Sequence, residues 1–186
     1  MTAPAASTPI YEWAGFQARC VGSVLHRCFQ HLADQIEPDR ANNSMEHWRP
    51  RLNTALAAMG LSGRDREDAL DKSLRALENI LADPQGRWVL SRHQEAMSEY
   101  SLTYQENGKI VTRIIDRTFV DEGVRWIIDY KTSEHGGGDL DQFFENEKKR
   151  YQGQLDNYAK VLQLMGENRP FRKALYNPLY RKFLEL

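Results

Sequence analysis

The stretch VRWIIDYKT, Val124 to Thr132, constrains the fold more than any other part of the chain. Alternation along an extended backbone puts Arg125, Ile127, Asp129 and Lys131 on one face and Val124, Trp126, Ile128 and Tyr130 on the other. Trp126, Ile127 and Ile128 make both faces apolar, the pattern of a strand in the middle of a sheet. Asp129 and Lys131 then sit side by side at the end of a buried strand, where a charge is expensive unless it is partnered. A self-satisfied ion pair would meet that demand. Buried pairs barely break even energetically, however, so an acid and a lysine placed there point as readily to chemistry.

The preceding segment sharpens this reading. VTRIIDRTFV sets Asp116 after two isoleucines, and the tight turn Asp121-Glu122-Gly123 folds its strand alongside the Asp129 strand. Two carboxylates thus converge near one lysine, and they repel unless a cation lies between them. Oxygen ligands of this kind suit Mg²⁺, which binds through one or two carboxylates together with water and phosphate. A carboxylate paired with Arg113, Arg117 or Arg125 is the plainer alternative. Further on, KRYQGQLDNYAKVLQL places Tyr151, Gln154 and Tyr158 on one helical face, with Leu155, Leu162 and Met165 continuing the apolar stripe. Lys148, Lys149 and Arg150 read either as a solvated face or, beside an acidic site, as contacts to a phosphate backbone.

Around this core the chain reads as one domain of 186 residues, with residues 1–9 (MTAPAASTP) a tail or linker and residues 10–186 folded. Helical spacing runs from about Glu12 to Ile36, near His47 to Met59, and from about Arg64 to Leu81. Alternation over residues 98–105, a turn at Glu106-Asn107-Gly108, and strands from Lys109 to Val120 and Val124 to Thr132 form a meander. A Gly-rich turn, a long helix from about Leu140 to Met165 and a strand over residues 171–179 follow. Lys and Arg (25) almost cancel Asp and Glu (26), which excludes a globally basic nucleic-acid coat but not a local basic patch. No apolar run is long enough to span a membrane and residues 1–15 lack a signal-peptide pattern, so a cytoplasmic location is expected. The two cysteines, Cys20 and Cys28, lie eight residues apart on one helix and are expected to be reduced.

In order, Asp116-Arg117, Ile127-Ile128-Asp129-Tyr130-Lys131-Thr132 and Tyr151-Gln154-Leu155-Tyr158 resemble the PD-(D/E)xK nuclease superfamily. They resemble in particular the RecB-like nuclease domain that ends AddA-type and RecB-type helicase–nucleases. The segment Gly22-Ser23-Val24-Leu25-His26 matches the family's G-x-x-x-H helix, and WAGFQARCVGSVLHR resembles the start of AddA-like nuclease domains. One departure is Arg113, where the family commonly has glycine three residues before the first aspartate. The resemblance implies an α/β, restriction-endonuclease-like mixed sheet flanked by helices, with an N-terminal helical region. It implies Mg²⁺, with Mn²⁺ substituting, held by His26, Asp116, Asp129 and the carbonyl of Tyr130. Lys131 would orient water or stabilise developing charge, with Gln154 and Tyr158 positioning Lys131 and the phosphate. Gly22 would let its helix approach the sheet closely, and Glu99 is an additional acidic candidate. The implied partners are DNA, as single-stranded ends, the helicase domain of a longer parent chain, and a second nuclease subunit. No G-x-x-x-x-G-K-[S/T] loop is present, so this chain is not itself the motor. The rival readings are a non-catalytic DNA-binding or docking module that keeps the fold, and a free-standing nuclease.

Overall fold

A computed structural model of the chain describes residues 9–35, 44–106 and 108–186, with residues 9–14 and Glu106 described in backbone only. Its elements run α1 (Pro9–Asp34), α2 (Met45–Ala58), α3 (Gly63–Ala82), α4 (Pro84–Leu90), β1 (Gln94–Glu106), β2 (Lys109–Asp121), β3 (Val124–Tyr130), α5 (Leu140–Leu164), β4 (Phe171–Asn177) and β5 (Lys182–Glu185). The strands form one mixed sheet in the order β1-β2-β3-β4-β5, with β3 at its centre. β3 and β4 are parallel, joined by the α5 crossover, and every other neighbouring pair is antiparallel. The α/β fold class, the N-terminal helical region and the central place of the WII strand are as expected.

Two cores sandwich the sheet. On one side the stripe Val21, Val24, Leu25, Phe29 of α1 packs with α2, α3 and α4 against Phe119, Trp126, Ile128, Tyr130, Ala174 and Tyr176. On the other, Phe144, Leu155, Tyr158, Val161 and Leu162 of α5 cover Leu102, Ile115, Ile127 and Leu175. Ile127 and Ile128, neighbours in sequence, therefore anchor opposite cores, and each is fully buried. Truncating either to alanine would cost about 2–5 kcal/mol. Cys20 and Cys28 are both free and buried in α1.

Several boundaries differ from the sequence reading. α1 begins at Pro9, inside the stretch expected to be a tail; residues 1–8, and Ile36 at the expected helix end, lie outside the described residues. α4 was not anticipated, although its start carries a clear signal: Asp83 accepts a bond from the Gly86 amide at 3.1 Å, and Pro84 occupies the first turn. Gly86 itself is dictated by packing, since a Cβ there would lie 2.5 Å from the Ile80 carbonyl and 2.6 Å from the Tyr176 hydroxyl. The β2–β3 turn is tighter than expected. Asp121 pairs with Val124, and only Glu122 and Gly123 intervene, both at positive φ, as in a type I′ hairpin. β1 starts four residues before the expected strand, β3 ends two residues short of Thr132, and β5 adds an unforeseen edge.

Candidate active site

Where the C-terminal end of β3 meets α1, β1, β2 and α5, the sheet gathers a cluster of polar side chains. Asp129 is only 3% exposed, because it follows the buried Ile127-Ile128 pair while still inside the sheet. Lys131 lies one step past the strand, its amide donating to the Tyr176 carbonyl at 2.9 Å. Its Nζ is 2.6 Å from Asp129 Oδ2, an ion pair outside hydrogen-bond geometry, and 3.7 Å from the centre of the Tyr151 ring. Gln154 on α5 donates through Nε2 to Asp129 Oδ1 at 3.0 Å and to the Tyr158 hydroxyl at 2.9 Å. Gln154, with Tyr158 behind it, therefore reaches Lys131 only through Asp129. Tyr151, one turn earlier on the same face, holds the lysine directly.

Asp116 arrives by a break in alternation. Ile115 packs in the α5 core, yet Phe119, which strict alternation would put on the same face, lies in the α1 core, and Arg117 bonds the Val89 carbonyl on that side too. The faces change at Asp116, in the register position opposite Glu99, between the pairs Ser98↔Arg117 and Tyr100↔Ile115. Glu99 has φ +48°, a left-handed conformation uncommon outside glycine. Beyond Arg117↔Ile128 the β2–β3 ladder stops, and the Tyr130 amide donates instead to Asp116 Oδ2 at 2.7 Å. The Tyr130 ring packs on Phe29 at 4.8 Å between centroids and edge-on to His26 at 5.8 Å, which docks α1 on the sheet. Arg113, at the family's glycine position, is exposed and paired in register with Leu102.

His26 Nδ1 stands 3.5 Å from Glu99 Oε1 and 3.5 Å from Asp116 Oδ1. One ligand atom from each of the three side chains lies within 4.8 Å of the others. Neighbouring ligands of a six-coordinate ion with bonds of about 2.1 Å stand about 3 Å apart, so the donor set fits a small divalent cation. Charge says the same. Three carboxylates, Glu99, Asp116 and Asp129, share the site with Lys131 as their cation. Burial pushes the Asp116 carboxyl well above the ordinary range, and Asp129 pushes it further against the Tyr130 amide and Lys131. Burial likewise raises Asp129, with Lys131 opposing. Burial and then Asp129 raise Tyr158. Without a second cation the two buried aspartates cannot both stay ionised at low cost.

Other expectations fare differently. A Cβ on Gly22 would meet Thr132 Oγ1 at 3.5 Å, ordinary contact, so α1 comes no closer to the sheet than alanine would allow. Lys148 and Arg150 reach Glu145 and Glu147 at 3.8 and 3.9 Å, the solvated-face reading of that basic run. Two of the three alternative partners for the aspartates point elsewhere, with Arg117 on carbonyls and Ser98 and Arg125 on Glu95 and Glu167. Glu147, buried and accepting from Ser133 Oγ at 2.5 Å, went unnoticed in the sequence because a lone glutamate on a charged helix carries no signal. A family model described as the PD-(D/E)XK nuclease superfamily matches residues 12–183. Among curated proteins no relative matches the chain.

Proposed function

The chain belongs to the PD-(D/E)XK nuclease superfamily, and from that premise we propose that it is a metal-dependent exodeoxyribonuclease acting on single-stranded ends. We assign residues 10–186 as one RecB-like nuclease domain that serves a helicase in double-strand-break repair. The observation that carries this reading is the convergence of His26, Glu99 and Asp116 beside the Asp129–Lys131 pair.

His26 Nδ1, Glu99 and Asp116 would hold Mg²⁺ or Mn²⁺, with Asp129 and the Tyr130 carbonyl completing the ligand set. When bound, the ion supplies Lewis acidity toward a phosphate oxygen and a lowered pKa for a bound water. The protein's own part is positional and electrostatic. Gln154 keeps Asp129 Oδ1 aimed, while Tyr151 and Asp129 hold the Lys131 ammonium at the site mouth, where it would donate to the attacking water or to the phosphate oxygens on which charge develops.

A cleft of about 540 Å³ opens beside His26 and Glu99, walled by Ser23, Arg27 and Gln30 of α1. From Glu99 and Asp116 the β1–β2 ribbon continues with the cross-strand pairs Ser101–Ile114, Thr103–Thr112 and Gln105–Ile110. This stripe is uncharged, and Ile110 is 82% exposed. A duplex offers phosphates on its outside, whereas a single strand offers bases to such a surface, which supports the single-stranded reading. The RecB-like context rests on the sequence resemblance and the missing phosphate loop. Among the described residues no helix is long and apolar enough to cross a membrane.

The test is degradation of linear and circular single-stranded DNA with Mg²⁺, Mn²⁺ or EDTA. Metal-dependent loss of the linear form alone is expected. Cleavage of circles would replace the exonuclease with an endonuclease, and binding without cleavage under any metal would assign the fold to a non-catalytic module.

A further inference from the structure

Arg117 follows Asp116 in β2 and turns into the α1-side core beside Val89 and Phe119, where it is 1% exposed. Three of its five N–H groups donate to neutral acceptors. Nε donates to the Val89 carbonyl at 3.3 Å, Nη2 to the Ser91 carbonyl at 2.9 Å and Nη1 to Ser98 Oγ at 2.9 Å. Among the described residues no carboxylate lies within ion-pair distance of it. The nearest counter-charge acts through Ser98, whose hydroxyl donates in turn to Asp34 of α1 at 3.5 Å. A buried cation with no direct ion pair is expensive, and an apolar side chain would fill the same space beside Phe119, Val89 and Leu90 more cheaply. The end of α4 and the residue that caps it supply two of the acceptors, and β1 supplies the third.

The β1 acceptor matters most. Ser98 is the cross-strand partner of Arg117, and the residue after it is Glu99, at φ +48°. A left-handed glutamate costs on the order of 1–3 kcal/mol and persists only where its surroundings over-determine it. Glu95, Glu122 and Arg181 are left-handed as well, so the conformation alone marks no function, and what sets Glu99 apart is where its side chain goes. Here the bend delivers a carboxylate to His26 and stations it opposite Asp116.

We propose that Arg117, acting through Ser98, is a positioning residue of the metal site, clamping β1 from behind so that Glu99 is turned toward His26 and Asp116. This rests on the metal-binding reading given above. It makes Arg117 responsible for one ligand's direction rather than for contact with substrate.

The experiment is Mn²⁺ titration by calorimetry of the whole chain, with melting followed separately in EDTA. Ser98→Ala should weaken Mn²⁺ binding by roughly 10-fold, the usual size of a lost contact to a ligand's support. Ser98→Thr, which keeps the hydroxyl, should restore it. The double variant Ser98→Ala/Glu99→Ala should bind no more weakly than Glu99→Ala, because the serine acts through that carboxylate. A general loosening of the fold would instead add to the Glu99 effect. Arg117→Lys and Arg117→Met probe the clamp from its other side, and the milder serine variants decide the matter if those chains fail to fold. Unchanged Mn²⁺ affinity in Ser98→Ala, or additive losses in the double variant, would overturn the assignment. A wild-type chain that takes up no Mn²⁺ would overturn the metal site itself and the positioning role with it.

Discussion

Strand β3 carries a buried charge near each end, and the two ends are built on opposite terms. At the N-terminal end Arg125, 5% exposed, donates to Glu167 Oε2 at 2.7 Å and to the side chain of Glu95. Arg169 closes the network with bonds of 2.6 and 2.9 Å to Glu95. Two arginines meet two glutamates and nothing is left over. The Arg169 hydrogen bond, helped by Arg125, lowers the Glu95 carboxyl to about 2. At the C-terminal end three carboxylates share one lysine, and burial raises both aspartates. A balanced network that reaches solvent through Glu95 and Arg169 holds a fold together, whereas an unbalanced one around more deeply buried aspartates points to something else that completes it.

The largest effects should come from the unbalanced end. Asp116→Ala and Asp129→Ala are each expected to lower cleavage by at least the 10²- to 10³-fold that one electrostatic group contributes, while melting in EDTA holds steady or rises. Full metal-dependent cleavage by either variant would dissolve the contrast. The pH dependence follows from the same imbalance. A raised carboxyl favours the native state most when protonated, below its unfolded value of about 4, and that contribution fades as pH climbs through the raised native value. In EDTA, wild type should therefore lose stability on going upward from about pH 4, and Asp116→Asn should lose less. Melting curves across that range decide it.

Next in size, Lys131→Ala should slow cleavage by about 10²- to 10³-fold yet leave Mn²⁺ binding nearly intact. If the variant takes up no metal, the lysine is a structural counter-ion like Arg125. Tyr151→Leu removes the ring beneath the ammonium, and a cation–π contact of about 1 kcal/mol corresponds to roughly 5-fold in rate. In a Lys131→Ala background the tyrosine change should do nothing more.

His26→Ala should narrow the preference for Mn²⁺ over Mg²⁺, because imidazole nitrogen suits Mn²⁺ better than the oxygen-seeking Mg²⁺. Equal preference in the two proteins, read by competition titration, would leave His26 a helix-flank residue. The smallest functional effect belongs to the balanced end. Glu95→Gln should cleave as wild type does and melt lower at neutral pH. Its carboxyl is depressed, so its contribution is present above about pH 4 and fades as pH falls toward about 2. The two melting curves should merge there.

Much of this was legible in advance where a repeating pattern existed to be read. The two-faced apolar strand announced the sheet centre, and the Tyr151-Gln154-Tyr158 spacing announced the α5 face that meets it. Short elements escaped. α4 has seven residues and β5 four, too few for a period, and only the Asp83-Pro84 cap betrays the first. The change of face at Asp116 escaped too, because it depends on a left-handed glutamate that no residue preference announces. Spacing placed Gln154 on the face that meets the site, but only distances tell that its direct contact is Asp129, which in turn holds Lys131.

The docking of α1 on Tyr130 has one more consequence. Position 26 is synthesised before position 129, and the brace at position 154 and the β4 neighbour Tyr176 come later still. Contacts of such long sequence separation form late in folding. Under the proposed function, a nascent or truncated chain would be chemically harmless, and cleavage would await the docking of the first helix on a finished sheet.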